Sequence, residues 1–283
     1  FMAVLYLDYF PRESKRGGAW MTEYRGQGIV NGVDQRPFVS VVTNFTKPTS
    51  TEPSLLTFYE VTTILHEFGH ALHGMLSECT YPSLSSPNVD WDFVELPSQI
   101  MENWAYESEY LASFAKHYKT GEVIPQELID KIIAAKNYLS GYACIRQLNY
   151  GMVDMAWHTL TSIPETPVVE FEQNIVNRRP IMPSVDSAVF SPQLTHVFSG
   201  GYAAGYYSYK WAEVLEADAF SLFKETGIFN TVPKWIESNS DNVWLVAVAS
   251  SLLASVTDTF AVAEWCGALH PVVNAIGQGS MNS

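Results

Sequence analysis

Residues 65–73 read LHEFGHALH: three histidines and one glutamate in an otherwise apolar run. On a helix, a step of four residues turns through about 400° and rises about 6 Å, so His66 and His70 leave the same face and can grip one divalent cation. Glu67 borders that face, where it can touch the attacking water without occupying the metal. Two imidazole ligands and a general base make the HExxH arrangement of hydrolytic metal sites. The same residues also fit a helix that merely carries polar groups on one side. Against that, Ile64, Leu65, Phe68, Ala71 and Leu72 mark a buried helix whose polar groups need partners. Glu95, in WDFVELPSQIMENW at the start of the next predicted helix, is available as a third ligand if the intervening loop folds back. Two histidines and a glutamate leave a fourth position for water, as zinc hydrolases require, so one Zn2+ per chain is expected. His73 reads as ordinary packing or surface. Glu102, seven positions after Glu95 and on its face, is either a group behind a ligand or a solvated carboxylate. Asp92 either orients a ligand imidazole or caps the helix that follows.

The elements that must position these groups are mostly helical. VLYLDYF and RPFVSVVTNF (36–45) have strand character, and PRESKRGGAW reads as a turn. From Ser54, a plausible N-cap, the apolar period becomes helical and continues through the histidines to about Ser77. Further helices are predicted over about 95–118, 126–161 and 170–176. HVFSGGYAAGYYSYKWAEVLEADAF opens glycine-rich and closes in a helix to about Lys224. The fold class is therefore mostly α with a small β-sheet, an α+β chain.

Composition limits the partners. The chain has 283 residues, 47% of them hydrophobic, with a net charge of −14 and a pI near 4.8. It has the apolar content of a globular core and no basic footprint for nucleic acid or anionic lipid. Cys79, Cys144 and Cys266 form no CxxC pair, which fits a reducing cytoplasm. The apolar run WLVAVASSLLASV has 13 residues, short of the roughly 20 needed to span a bilayer. The opening FMAVLYLDYF is a strand already under way, so the sequence is expected to be part of a longer protein.

With these stretches in view, the chain resembles the M3 family of zinc oligopeptidases. The resemblance runs from the first strand to about Asn230 and rests on GGAWM, VVTNFTKP, LHEFGHALHGMLS, DFVELPSQIMENW and GGYAAGYYSYKWAEVLEADAF. It implies a zincin-like catalytic region of a neurolysin-type fold. His66, His70 and Glu95 would be the zinc ligands and Glu67 the base. His196, Tyr202 and Tyr209 would face the scissile peptide as oxyanion stabilisers, and Tyr206, Gly200 and Gly201 would contact substrate. Read without the family, GYYSY is an aromatic core stripe. The substrates implied are short peptides, cut internally or near the C-terminus by a cytoplasmic monomer.

The chain departs from the family at three places. Ser85-Ser86-Pro87 precedes the third ligand where many members have Ser-Gly-Thr, the family's long helical N-terminal half is absent, and the ending is atypical. Residues 231–283 contain no Arg and five charged residues, against 41 in 1–230. This tail is expected to be a frameshifted ending rather than a divergent apolar helix. Two rival readings are a zinc-binding chain that holds peptides without turnover and a metal-free helical scaffold.

Overall fold

A computed structural model of the chain describes residues 1–178, 180, 185 and 188–229. Strand β1 (Val4–Asp8) pairs in parallel with β5 (Phe38–Val42), and β2 (Trp20–Arg25) pairs antiparallel on the other side of β5. The order is β1-β5-β2, with Val4 opposite Phe38 and Trp20 opposite Val42. Strands β3 (Gly28–Val30) and β4 (Val33–Gln35) form a separate hairpin. Its turn is Asn31-Gly32, both at positive φ, the left-handed pair that two-residue hairpins require.

Helix α1 (Phe58–Leu76) lies against the sheet. Its start is a capping box: Thr57 Oγ1 accepts from Glu60 N–H, and Glu60 Oε2 accepts from Thr57 N–H at 2.7 Å. The expected cap, Ser54, instead donates to Thr46 O and belongs to the approach loop. On the sheet side, Ala71, Ile64 and Phe68 pack on Val39, Val41, Tyr9 and Phe45. On the far side, Leu65 and Leu72 join Ile100, Met101, Trp104, Phe220 and Phe223. Trp104 is fully buried and donates its indole N–H to Ile228 O at 3.0 Å. Truncating such a side chain typically costs about 3–5 kcal/mol.

The single helix expected over 95–118 is broken. Helices α2 (Trp91–Val94) and α3 (Leu96–Glu102), a 3-10 turn (Asn103–Tyr106) and α4 (Ser108–Phe114) replace it. The helix expected over 126–161 is likewise two, α5 (Gln126–Ala135) and α6 (Ser140–His158), parted at Leu139, whose φ is 55°. There follow α7 (Val168–Val176), the short α8 (Thr195–Phe198) and α9 (Ser208–Thr226). Among the described residues no helix is long and apolar enough to cross a membrane. The expectation about residues 231–283, and Cys266 with it, lies outside the described residues.

Candidate metal centre and active site

Helix α1 supplies His66, Glu67 and His70, and Glu95 enters from the junction of α2 and α3. A glycine allows the approach. A Cβ on Gly69 would lie 2.2 Å from Pro97 O and 2.6 Å from Ser98 Cα, so α3 rests directly on the α1 backbone. Glu95 is 2% exposed. Its Oε2 lies 3.2 Å from His66 Nε2 and 3.2 Å from His70 Nε2. Ser98 Oγ donates to the same oxygen at 2.9 Å, and Tyr202 O–H donates to Oε1 at 2.6 Å.

Ligand atoms from His66, His70 and Glu95 all lie within 4.8 Å of one another. With metal–ligand bonds of roughly 2.0–2.2 Å, the edge of a tetrahedral site is about 3.4 Å, close to both imidazole–carboxylate separations. The donor set and its spacing therefore suit a divalent cation. His66 Nδ1 faces Glu102 Oε1 at 2.7 Å, the carboxylate–imidazole pairing that fixes a ligand ring. Of the two readings for Glu102, the position behind a ligand is the observed one. Asp92 caps no helix: it lies in the first turn of α2, whose N-cap is Asp90, and the N-cap of α3 is Glu95.

Charge follows the same geometry. Burial pushes the Glu95 carboxyl up, but His66 and His70 outweigh it and hold it well below the usual carboxylate range. Glu67 is pushed up by burial, partly opposed by the two histidines. Its Oε2 is buried with no hydrogen-bond partner, and the residue lines a cavity of about 800 Å³. A carboxylate that lines the cavity beside the ligand triad is placed to receive a proton from water there. His73 is buried against Phe93, and burial pushes it down to about 4, so it is a neutral packing residue.

The opposite wall comes from α8, the start of α9 and the segment between them. His196, Tyr206 and Tyr209 line the cavity with His66 and Glu67. The Tyr202 and Tyr209 rings stack at 5.3 Å. Burial first, and then Glu95, raises both phenols above their ordinary value, so both keep their protons. Tyr202 is thus spent on Glu95, while Tyr209 lines the cavity. Gly200 and Gly201 lie off the cavity wall. A Cβ on Gly200 would meet His196 Cα at 2.8 Å, and Gly201, at φ 89°, turns the chain beside Trp91.

The model of peptidase family M3 matches residues 1–238. The chain belongs to peptidase family M3. M3 relatives include oligopeptidase A of Escherichia coli (strain K12), 46% identical over 228 residues, which cover 80% of this chain and 34% of the relative. Dipeptidyl carboxypeptidase of Salmonella typhimurium is 40% identical over 228 residues, 80% of this chain and 33% of the relative. Saccharolysin of Saccharomyces cerevisiae is 33% identical over 225 residues, 78% and 31%. The chain thus spans about a third of the length of these curated M3 relatives.

Sequence reasoning missed three features of this M3 site. Gly69 could have been found as an isolated glycine inside a strongly helical apolar pattern, which usually marks close packing. Ser98 and the bond from Tyr202 to Glu95 left no signal, because a hydroxyl's partner is not encoded in local spacing.

Proposed function

We propose that this chain carries the zinc site and catalytic groups of an oligopeptidase or peptidyl-dipeptidase acting on short peptides. The observation that supports the reading most is the carboxylate of Glu95 held 3.2 Å from both imidazole Nε2 atoms, beside the partnerless Oε2 of Glu67. His66, His70 and Glu95 would hold one zinc, whose donor set matches known catalytic zinc sites. When bound, zinc supplies a Lewis acid that polarises the scissile carbonyl and makes water acidic near neutral pH.

The chain's own groups do the rest. Glu67 takes the proton of the attacking water and passes it to the leaving amine. Tyr209 donates its phenolic proton to the developing oxyanion, with His196 beside it. Tyr202 fixes Glu95 and, through its stacked ring, the position of Tyr209. The glycines at 200 and 201 shape the turn that brings this wall to the peptide. Relatives bearing both names, oligopeptidase A and dipeptidyl carboxypeptidase, are similar to the chain, so both cleavage modes stay within the proposal. A monomer in a reducing cytosol is part of the same reading.

Quenched fluorescent peptides with free and amidated C-termini test it. The chain is expected to cleave them, to lose activity in chelator and to regain it with zinc. Cleavage that chelator leaves intact would overturn the reading.

A further inference from the structure

The wall that carries His196, Tyr202, Tyr206 and Tyr209 holds little of its own shape. Helix α8 is a single short turn. Beyond it, Tyr202 N–H reaches His196 O at 3.0 Å and Gly205 N–H reaches Tyr202 O at 2.8 Å. Ala204 sits at φ 55°, in the left-handed region that a residue with a Cβ occupies at a cost. Such a segment needs fixing from outside.

Two carboxylates outside the metal centre, both essentially inaccessible to solvent, supply that fixing. Asp154 lies on α6. Its Oδ1 accepts the Ala204 N–H at 2.9 Å, and its Oδ2 accepts the Tyr206 N–H at 2.9 Å. His158 Nδ1, one turn further along α6, faces Oδ1 at 2.7 Å. Glu172 on α7 does the same at the other end of the segment. Its Oε1 accepts Phe190 N–H at 2.8 Å, and its Oε2 accepts Ser191 N–H at 2.7 Å and Ser191 O–H at 2.5 Å. Trp157 on α6 donates its indole N–H to Ser191 Oγ at 3.0 Å.

Burying a carboxylate is expensive unless hydrogen bonds compensate it, and bonds from amides to a charged acceptor are among the strong ones. A pair of backbone N–H groups around one carboxylate forms a compact anion-holding turn. Neither carboxylate lines the cavity or joins the ligand triad. Asp154 holds the backbone of the turn that carries Tyr206 into the cavity wall, and Glu172 holds residues 190–191 at the start of the same segment. Displacing a catalytic donor by a fraction of an ångström weakens the transition state more than it weakens substrate binding.

We infer that Asp154 is a positioning residue for the reaction, holding the 202–209 turn so that Tyr209 meets the oxyanion, while Glu172 fixes the segment at its other end. This rests on the donor role proposed for Tyr209. Asp154→Asn keeps the volume but turns an NH2 group toward one of the two amides. It is expected to lower kcat about tenfold, to change KM by less than about threefold, and to leave the zinc content at one per chain. In a Tyr209→Phe background the same substitution is expected to change kcat by less than about twofold, because the two act through one contact. An equal loss in both backgrounds, or none in either, overturns the inference. A normal kcat for Tyr209→Phe alone sinks the donor reading and this inference with it. An impaired Tyr209→Phe beside a normal Asp154→Asn sinks the inference alone.

Hydrogen exchange gives a readout independent of turnover. Asp154→Asn is expected to speed exchange in peptides covering 199–209 at least tenfold while those of α1 stay unchanged. Unchanged protection at 199–209 counts against the inference. If Asp154→Asn does not fold, His158→Gln takes its place in both measurements. Smaller shifts of the same kind are then expected, and their absence overturns the inference.

Discussion

Three carboxylates surround two histidines, and what each touches separates their parts. Glu95 bonds both imidazoles, Ser98 and Tyr202, so its charge is fully compensated. Glu102 meets only the outer nitrogen of His66. Glu67 has a buried oxygen that no group satisfies. Glu67→Gln keeps the shape and removes the proton acceptor. It is expected to retain zinc and to lose turnover by about 10²–10⁴-fold, the typical worth of a positioned base. Elemental analysis beside a peptide assay checks this, and near-normal turnover would contradict the role. His66, Glu67 and His70 were legible because their chemistry lies in helical spacing. The bond from Tyr202 to Glu95 spans 107 positions, so only the fold could reveal it.

At the scale of elements, the metal centre depends on how closely two helices meet. Any Cβ at Gly69 would overlap the backbone of Pro97 and Ser98, which cannot rotate aside as a side chain would. Gly69→Ala should push α3 outward and carry Glu95 away from the histidines. The expected result is destabilisation of about 1–3 kcal/mol, as overpacking usually costs, and at least tenfold weaker zinc binding. Thermal melts with and without zinc measure both, and unchanged zinc affinity would refute the packing argument.

Strand β2 carries a second strained point. Burial raises Glu23 to about 7, and its Oε2 is buried without a partner. The folded state therefore binds this proton more tightly than the unfolded chain does. Stability falls as pH rises from the unfolded value near 4.5 through about 7. Glu23→Gln should accordingly raise Tm at pH 8 and change it little at pH 4, whereas an equal effect at both pH values would rule out the titration.

Helix α1 and the strand character of β1 and β5 were readable from apolar period. The breaks at Glu95, Leu139 and Glu107 were not, since each sits inside a run whose periodicity continues across it. The Asn31-Gly32 hairpin carried an audible turn signal that the sheet assignment passed over.

For the whole molecule, the sheet, α1 and the helices beyond it converge on a single demand, which is to hold two imidazoles and a carboxylate at the spacing of one cation. Filling that site should also stabilise the fold, because a cation held by the folded triad would have no preformed site in the unfolded chain. The net charge of −14 adds long-range attraction for a cation. The most direct test is the zinc content of the purified chain and of His70→Ala after equilibration with zinc and removal of the excess. The account predicts one equivalent in the chain and a small fraction of that in His70→Ala. A full equivalent in His70→Ala, or none in the unaltered chain, would contradict it.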